Sequence, residues 1–344
     1  MREKWSPRSN KSWTNASLLT SMIPRLFFVS ALILWVFLFS TAKSLSYSHS
    51  LLRGSIDNHD TSSHINESSM EKDTPNTIDK ENFDHCIIVP GHAAMRISKQ
   101  HDASYDENAW YLLPYQIGMG FPSIITSHIR KALDILQQDK KSLLIFSGGQ
   151  TRHDVGPFSE AASYYFLATG QNWIQEHQNI DRVYLEEYAR DSFENLLFSL
   201  CRFHEITGRY PDRVSVVGFD FKSHRFSDLH RKAIGFPEKK FVYYGIRPDH
   251  PFDHKQATVG EKTAIHSFIE DMYGCSTPAL VHKRHARDPF SRTIPYSSGC
   301  PDLEELLTWC GPDLYPKELP WTSSPSTSTY TSISSRERKR THHI

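Results

Sequence analysis

From Asp84 onward the chain alternates short apolar runs with longer amphipathic stretches. Apolar runs fall at residues 86–90, 142–146, 182–185, 214–217 and 241–244, and helical periodicity lies between or after them at 124–138, 159–168, 192–207, 226–234 and 259–272. Continuous apolar runs suit strands buried on both faces, and strands separated by helices build a parallel sheet. The pattern predicts an α/β, Rossmann-like three-layer fold with a mainly parallel sheet of about five strands.

A different texture precedes this domain. Residues 26–42 carry no charge and approach the roughly 20 residues that cross a bilayer, so an N-terminal transmembrane helix is expected there. The apolar core of a cleaved signal peptide spans about 7–15 residues, and the leader ahead of this segment is long for one. Arg2, Lys4, Arg8, Lys11 and Arg25 stand before the span and only Lys43 and Arg53 soon after it. That bias keeps residues 1–25 cytoplasmic and sends the main domain to the lumenal or extracellular side.

Residues 43–82 are polar and poor in large apolar groups, which predicts a disordered stalk; Asn66 there opens a glycosylation sequon with Ser68. The α/β domain then occupies 83–275, a Pro-rich appendage packs on it over 276–321, and residues 322–344 form a basic, disordered tail.

Composition narrows the function classes. Lys+Arg and Asp+Glu number 39 each, which gives no electrostatic footprint for nucleic acid. Five cysteines are compatible with an oxidising compartment. Cys86, in a strand, and Cys201, in a helix, read as free thiols, and Cys300 with Cys310 as the candidate disulfide.

In an open parallel sheet, ligands bind beyond the carboxyl ends of the strands. The residues that follow the runs are Gly91 and His92; Ser147, Gly148, Gly149, Thr151 and Arg152; Glu186 and Glu187; and a stretch from Gly218 through Asp220 and Lys222 to His224 and Arg225. Gly148 and Gly149 would let backbone N–H groups approach an anion, with Thr151 and Arg152 beside them, although two glycines equally make a plain strand-to-helix turn. His92 and His224 are the imidazoles on this rim, and Glu160, Glu187 and Asp220 the carboxylates suited to proton transfer or to holding a hydroxyl. Asp191 and Glu194 form a helix capping box; Asn195 is not explained by capping.

His92, Glu187, Asp220 and His224 could together ligate a metal, but no close pairing of His or Cys ligands supports one, and none is expected. No G-x-G-x-x-G, G-x-S-x-G or thiol-protease pattern is present, and the sequence names no cofactor.

The same residues carry a resemblance. Cys86 to Gly91, Phe146 to Gly149, Ser159-Glu160-Ala161, Glu187 ahead of Asp191 to Asn195, and Ser223-His224-Arg225 follow the order of motifs in the YdcF/SanA/ElyC-like family, known as domain of unknown function 218. The chain resembles a fungal-type, membrane-anchored branch of it across residues 84–273. It departs from the family in Pro90-Gly91-His92, in a long insert over 96–121, and in His224 being followed directly by Arg225. The resemblance implies a Rossmann-like fold and a nucleotide-like ligand such as S-adenosylmethionine; it implies no assigned reaction.

These readings converge on a phosphate-bearing or nucleotide-like small molecule at the C-terminal rim of the sheet. Glu187 and His224 are the acid/base candidates, and Arg225 is the anion clamp. Whether the protein is an enzyme is left open. The competing expectation is a non-catalytic, membrane-tethered factor in envelope or secretory-pathway maintenance.

Overall fold

A computed structural model describes residues 80–176, 180–247 and 254–322. The expected transmembrane segment at 26–42, Asn66, nearly all of the expected stalk and all but the first residue of the expected basic tail lie outside the described residues. Among the described residues no helix is long and apolar enough to cross a membrane.

Among the described residues seven strands form two sheets: β1 (His85–Pro90), β4 (Ser142–Ser147), β5 (Val183–Glu186), β6 (Arg213–Phe219) and β7 (Phe241–Ile246) make the main one, and β2 (Ala94–Met95) pairs antiparallel with β3 (Trp110–Tyr111) in the other. All pairings in the main sheet are parallel, in the order β5-β4-β1-β6-β7. The five expected runs are these five strands. The chain winds outward from β1 through β4 to β5 and then restarts on the other side of β1 with β6, which is the doubly wound arrangement.

Every residue of β1 and β4 is buried, as strands covered on both faces require. Alternate side chains divide between two apolar layers. Ile87, Val89, Leu144 and Phe146 pack under α1 (Phe121–Gln138) and α2 (Glu160–Gly170). Cys86, Ile88, Leu143 and Ile145 pack under α3 (Ser192–Thr207) and the C-terminal segment.

The helices start and stop where local chemistry directs. Ser159 Oγ accepts the Ala162 N–H at the head of α2. Asp191 accepts the Glu194 N–H at the head of α3, and Gly208, at φ 73°, closes its end. Glu194 departs from a simple capping box, because its carboxylate takes the Arg190 N–H and guanidinium instead of the Asp191 N–H.

Two more helices, α4 (His254–Glu270) and α5 (Pro278–Ala286), follow β7. The helix expected over 226–234 is a π-helical stretch at Arg225–His230 that runs into Arg231–Ala233. Arg225, Phe226 and His230 are all buried, and the five-residue spacing from Arg225 to His230 matches the wider π turn.

The Pro-rich segment is part of the core rather than a cover over it. Leu280, Tyr296, Leu303, Leu306 and Trp321 belong to the same apolar cluster as α3. Two disulfides fasten it, and both correct the expected pairing: Cys300 bonds Cys201, and Cys310 bonds Cys275. Cys201 is therefore not a free thiol, because the segment folds back across α3 and brings Cys300 onto it. Cys86 is free and buried.

Candidate functional site

The sheet order reverses between β1 and β6, and a cavity of about 520 Å³ opens at the carboxyl ends of those two strands. Pro90, Gly91 and His92 after β1, and Phe219, Phe221 and Lys222 at the end of β6, form its floor. Thr151 and Glu160 supply one wall, Asp191, Ser192 and Asn195 at the head of α3 another. Arg225 and α4 residues Val259, Gly260 and Glu261 close a third side, and Lys283 and Arg287 enter from α5 and its end. Tyr115, Gln116 and Met119 from the segment 96–121 line the cavity as well, with Tyr115 exposed.

Charge in the cavity is unevenly matched. Arg225 and Glu261 are both buried and form a two-pronged pair at 2.8 and 2.9 Å, while Arg225 also donates to the Ser192 hydroxyl. Asp191 is engaged by Arg284 at 2.6 Å, and Arg190 by Glu194. Lys222 and Lys283 have no carboxylate within ion-pair distance among the described residues. Lys222 instead lies 3.4 Å from His92 Nδ1, with its ammonium 4.9 Å from the centre of the Phe219 ring.

Burial and then the Arg225 guanidinium bring the Lys222 ammonium down to about 7. Burial, followed by Arg287 and Arg225, lowers Lys283 to about 8. An anion in the cavity relieves both effects, since it replaces missing hydration and opposes the neighbouring cations.

Burial pushes the carboxyl and imidazole groups of the cavity toward their neutral forms as well. Burial raises Glu160, against the pull of Arg287 and of the Thr151 hydroxyl, which donates to Oε1 at 2.7 Å. His92 is held neutral by burial and by Lys222, and His128, behind it, is lowered to about 3 by burial. Both lie against Phe219, with ring centroids 4.9 and 5.0 Å away. His92 is therefore a neutral wall group that accepts from Lys222 rather than a cation.

The rim residues singled out in the sequence do not all meet here. Gly91, His92, Thr151, Glu160, Asn195 and Arg225 line the cavity. Glu187 does not: it accepts from Ser159 Oγ and flanks a shallow cleft beside Arg292. His224 is exposed and paired with Asp228, one turn on. Asp220 holds the Phe221 N–H and Arg247. Arg152 binds Asp154 and the Tyr111 carbonyl.

Ser147, Gly148 and Gly149 lie under the rim, and the glycine N–H groups are already donated, from Gly148 to the Glu186 carbonyl and from Gly149 to that of Ala189. The expected nest for an anion is thus closed, and the glycines serve close packing. A Cβ on Gly149 would stand 2.8 Å from the Ala189 carbonyl oxygen, and one on Gly91 would stand 2.5 Å from the Glu160 Cβ. Arg225 lines the cavity, but its fork is occupied by Glu261.

Lys222, Lys283 and Arg287 were not selected from sequence. Lys222 sits within the stretch read there, and Lys283 and Arg287 are spaced i, i+4, which places both on one helix face. The relevant fact, that α5 returns to the rim, is tertiary.

Among the described residues no three His, Cys, Asp or Glu side chains gather as metal ligands. No protein-family model matches the chain. It is similar to the uncharacterized protein YOR238W of Saccharomyces cerevisiae, 29% identical over 262 residues that make up 61% of this chain and 86% of that protein.

Proposed function

We propose that this chain binds a phosphate-bearing or nucleotide-like small molecule in the cavity between β1 and β6. The observation that carries this reading is the cationic set of Lys222, Lys283 and Arg287, none of which has a carboxylate within ion-pair distance among the described residues, lining a cavity at the topological switch point. Half-buried cations without a carboxylate partner lose hydration that nothing replaces, and an anionic ligand is the group that offsets that cost. Thr151, Asn195 and Ser192 add neutral hydrogen-bonding groups to the walls. Glu160 and Lys222 are the proton-transfer groups if the ligand is transformed, both being shifted toward neutrality by burial.

Assignment to the YdcF-like family is likewise our reading. It is supported by the way its motifs fall on strand ends and helix starts: Gly91 after β1, Gly148 and Gly149 after β4, Ser159 capping α2, and Asp191 capping α3. Placement of the domain on the non-cytoplasmic side of a membrane, anchored by residues 26–42, is supported by two disulfides, which persist in oxidising compartments.

The binding reading is tested by thermal unfolding of the full chain in neutral-lipid nanodiscs with inorganic phosphate, adenosine monophosphate, glucose 6-phosphate and S-adenosylmethionine. A ligand at one hundredfold its dissociation constant adds about 2.7 kcal/mol to stability. Stabilisation by the phosphates that is lost in Lys222→Met and Lys283→Met supports it, and an unchanged melting temperature throughout contradicts it.

A further inference from the structure

The mouth of the cavity has a character opposite to its charged wall. Tyr115, Ile117 and Val259, which are 55%, 63% and 64% exposed, are three of the large apolar side chains left in water by the fold. Tyr115 and Val259 line the opening, and Ile117 lies between the lining residues Gln116 and Met119. Exposed apolar side chains gathered at a pocket mark a contact surface more often than isolated ones do.

This lip is held in place. The Glu107 carboxylate accepts the N–H groups of Gly118 and Gly120, one on each oxygen, and Gln116 donates to the His92 carbonyl while accepting the Leu113 N–H. Ile117 is therefore presented to solvent by a loop with fixed ends. A ligand polar throughout, such as a sugar phosphate, leaves Ile117 and Val259 wet. One with an anionic head and a hydrocarbon tail covers them while its head meets Lys222, Lys283 and Arg287.

We propose that the ligand class is a lipid monophosphate, with its phosphate against the cationic wall and its chain leaving across the lip made by Tyr115, Ile117 and Val259. This rests on the phosphate-binding reading and specifies it.

The test is the affinity of the full chain, in neutral phosphatidylcholine nanodiscs with empty discs as blank, for inorganic, ethyl, butyl and hexyl phosphate and for hexanol. A fully buried methylene is worth roughly a fourfold gain, so hexyl phosphate is expected to bind at least about tenfold more tightly than ethyl phosphate, with partial burial allowed for. Ile117→Asp and Val259→Asp should each reduce that hexyl-to-ethyl ratio toward one. Equal affinity along the series, with binding still lost in Lys222→Met, overturns the lipid assignment and leaves phosphate recognition standing. Failure of every phosphate, inorganic included, overturns both. Hexanol binding as tightly as hexyl phosphate overturns the role of the charged wall.

Discussion

The Ser147 hydroxyl lies 2.6 Å from a carboxylate oxygen of Glu186, and both side chains are fully buried under the rim. The same hydroxyl is 2.8 Å from the Asn195 side-chain oxygen. One hydroxyl proton serves one acceptor, so a proton on Glu186 completes the second bond. Burial raises Glu186 to about 7, with Ser147, the Tyr188 N–H and Tyr296 opposing the rise. The cluster joins β4, β5 and α3 beneath the cavity wall that Asn195 lines.

Glu186→Gln supplies that proton permanently. A carboxyl whose folded value lies above its unfolded one costs nothing below the unfolded value, and stability is lost as pH rises from there through about 7. The glutamine variant should match the parent near pH 4.5 and exceed it by about 1–3 kcal/mol above pH 8, whereas Glu186→Ala should lose about 2–4 kcal/mol at every pH. Urea unfolding at several pH values measures both.

Lys222→Met should stabilise the unliganded protein while removing anion binding. The folded value of about 7 lies below that of the unfolded chain, so the penalty of the poorly hydrated ammonium is fully present below pH 7 and fades as pH rises toward about 10. A gain of about 1–3 kcal/mol at pH 6 that shrinks by pH 10, read from chemical unfolding, is the expected result.

Gly149→Ala should cost about 1–3 kcal/mol, because the new Cβ meets the Ala189 carbonyl oxygen at 2.8 Å, a backbone atom that cannot turn aside. Gly260→Ala has open space around its Cβ and lies within α4, so it should be neutral or stabilising by up to about 1 kcal/mol. Thermal unfolding of the two variants side by side separates packing from helix propensity.

Removal of the disulfides should follow loop length. Cys201 and Cys300 are 99 residues apart and Cys275 and Cys310 are 35 apart. Replacing each pair with serine should cost about 4–5 and about 3–4 kcal/mol respectively in the chain-entropy account. Equilibrium unfolding of the two double variants, each compared with the disulfide-bonded parent, checks the order.

The strands were legible because each is a short apolar run bounded by polar residues, and the helix starts because Ser159 and Asp191 are capping types in capping positions. Gly91, His92, Thr151, Glu160, Asn195 and Arg225 were found from one rule, that ligands sit beyond strand ends. Glu187 and His224 satisfy the same rule yet point elsewhere, since a position after a strand fixes the backbone and not the direction of the side chain. Lys283 and Arg287 lie in a segment whose sequence shows prolines and little periodicity. Its return to the rim depends on Asp271, which binds the N–H groups of Cys275, Ser276 and Thr277, and on Arg284 reaching Asp191. None of those contacts has a local signature.

Titration calorimetry of inorganic phosphate into the full chain at pH 7.5, in two buffers of different ionisation enthalpy, reads anion binding at Lys222 and Lys283 together with its proton linkage. Lys222 and Lys283, brought to about 7 and 8, are partly unprotonated there, and a bound anion favours their charged forms. Binding with proton uptake is expected, with loss of both in Lys222→Met. Absence of binding, or binding without proton uptake that persists in Lys222→Met, contradicts the phosphate-binding reading.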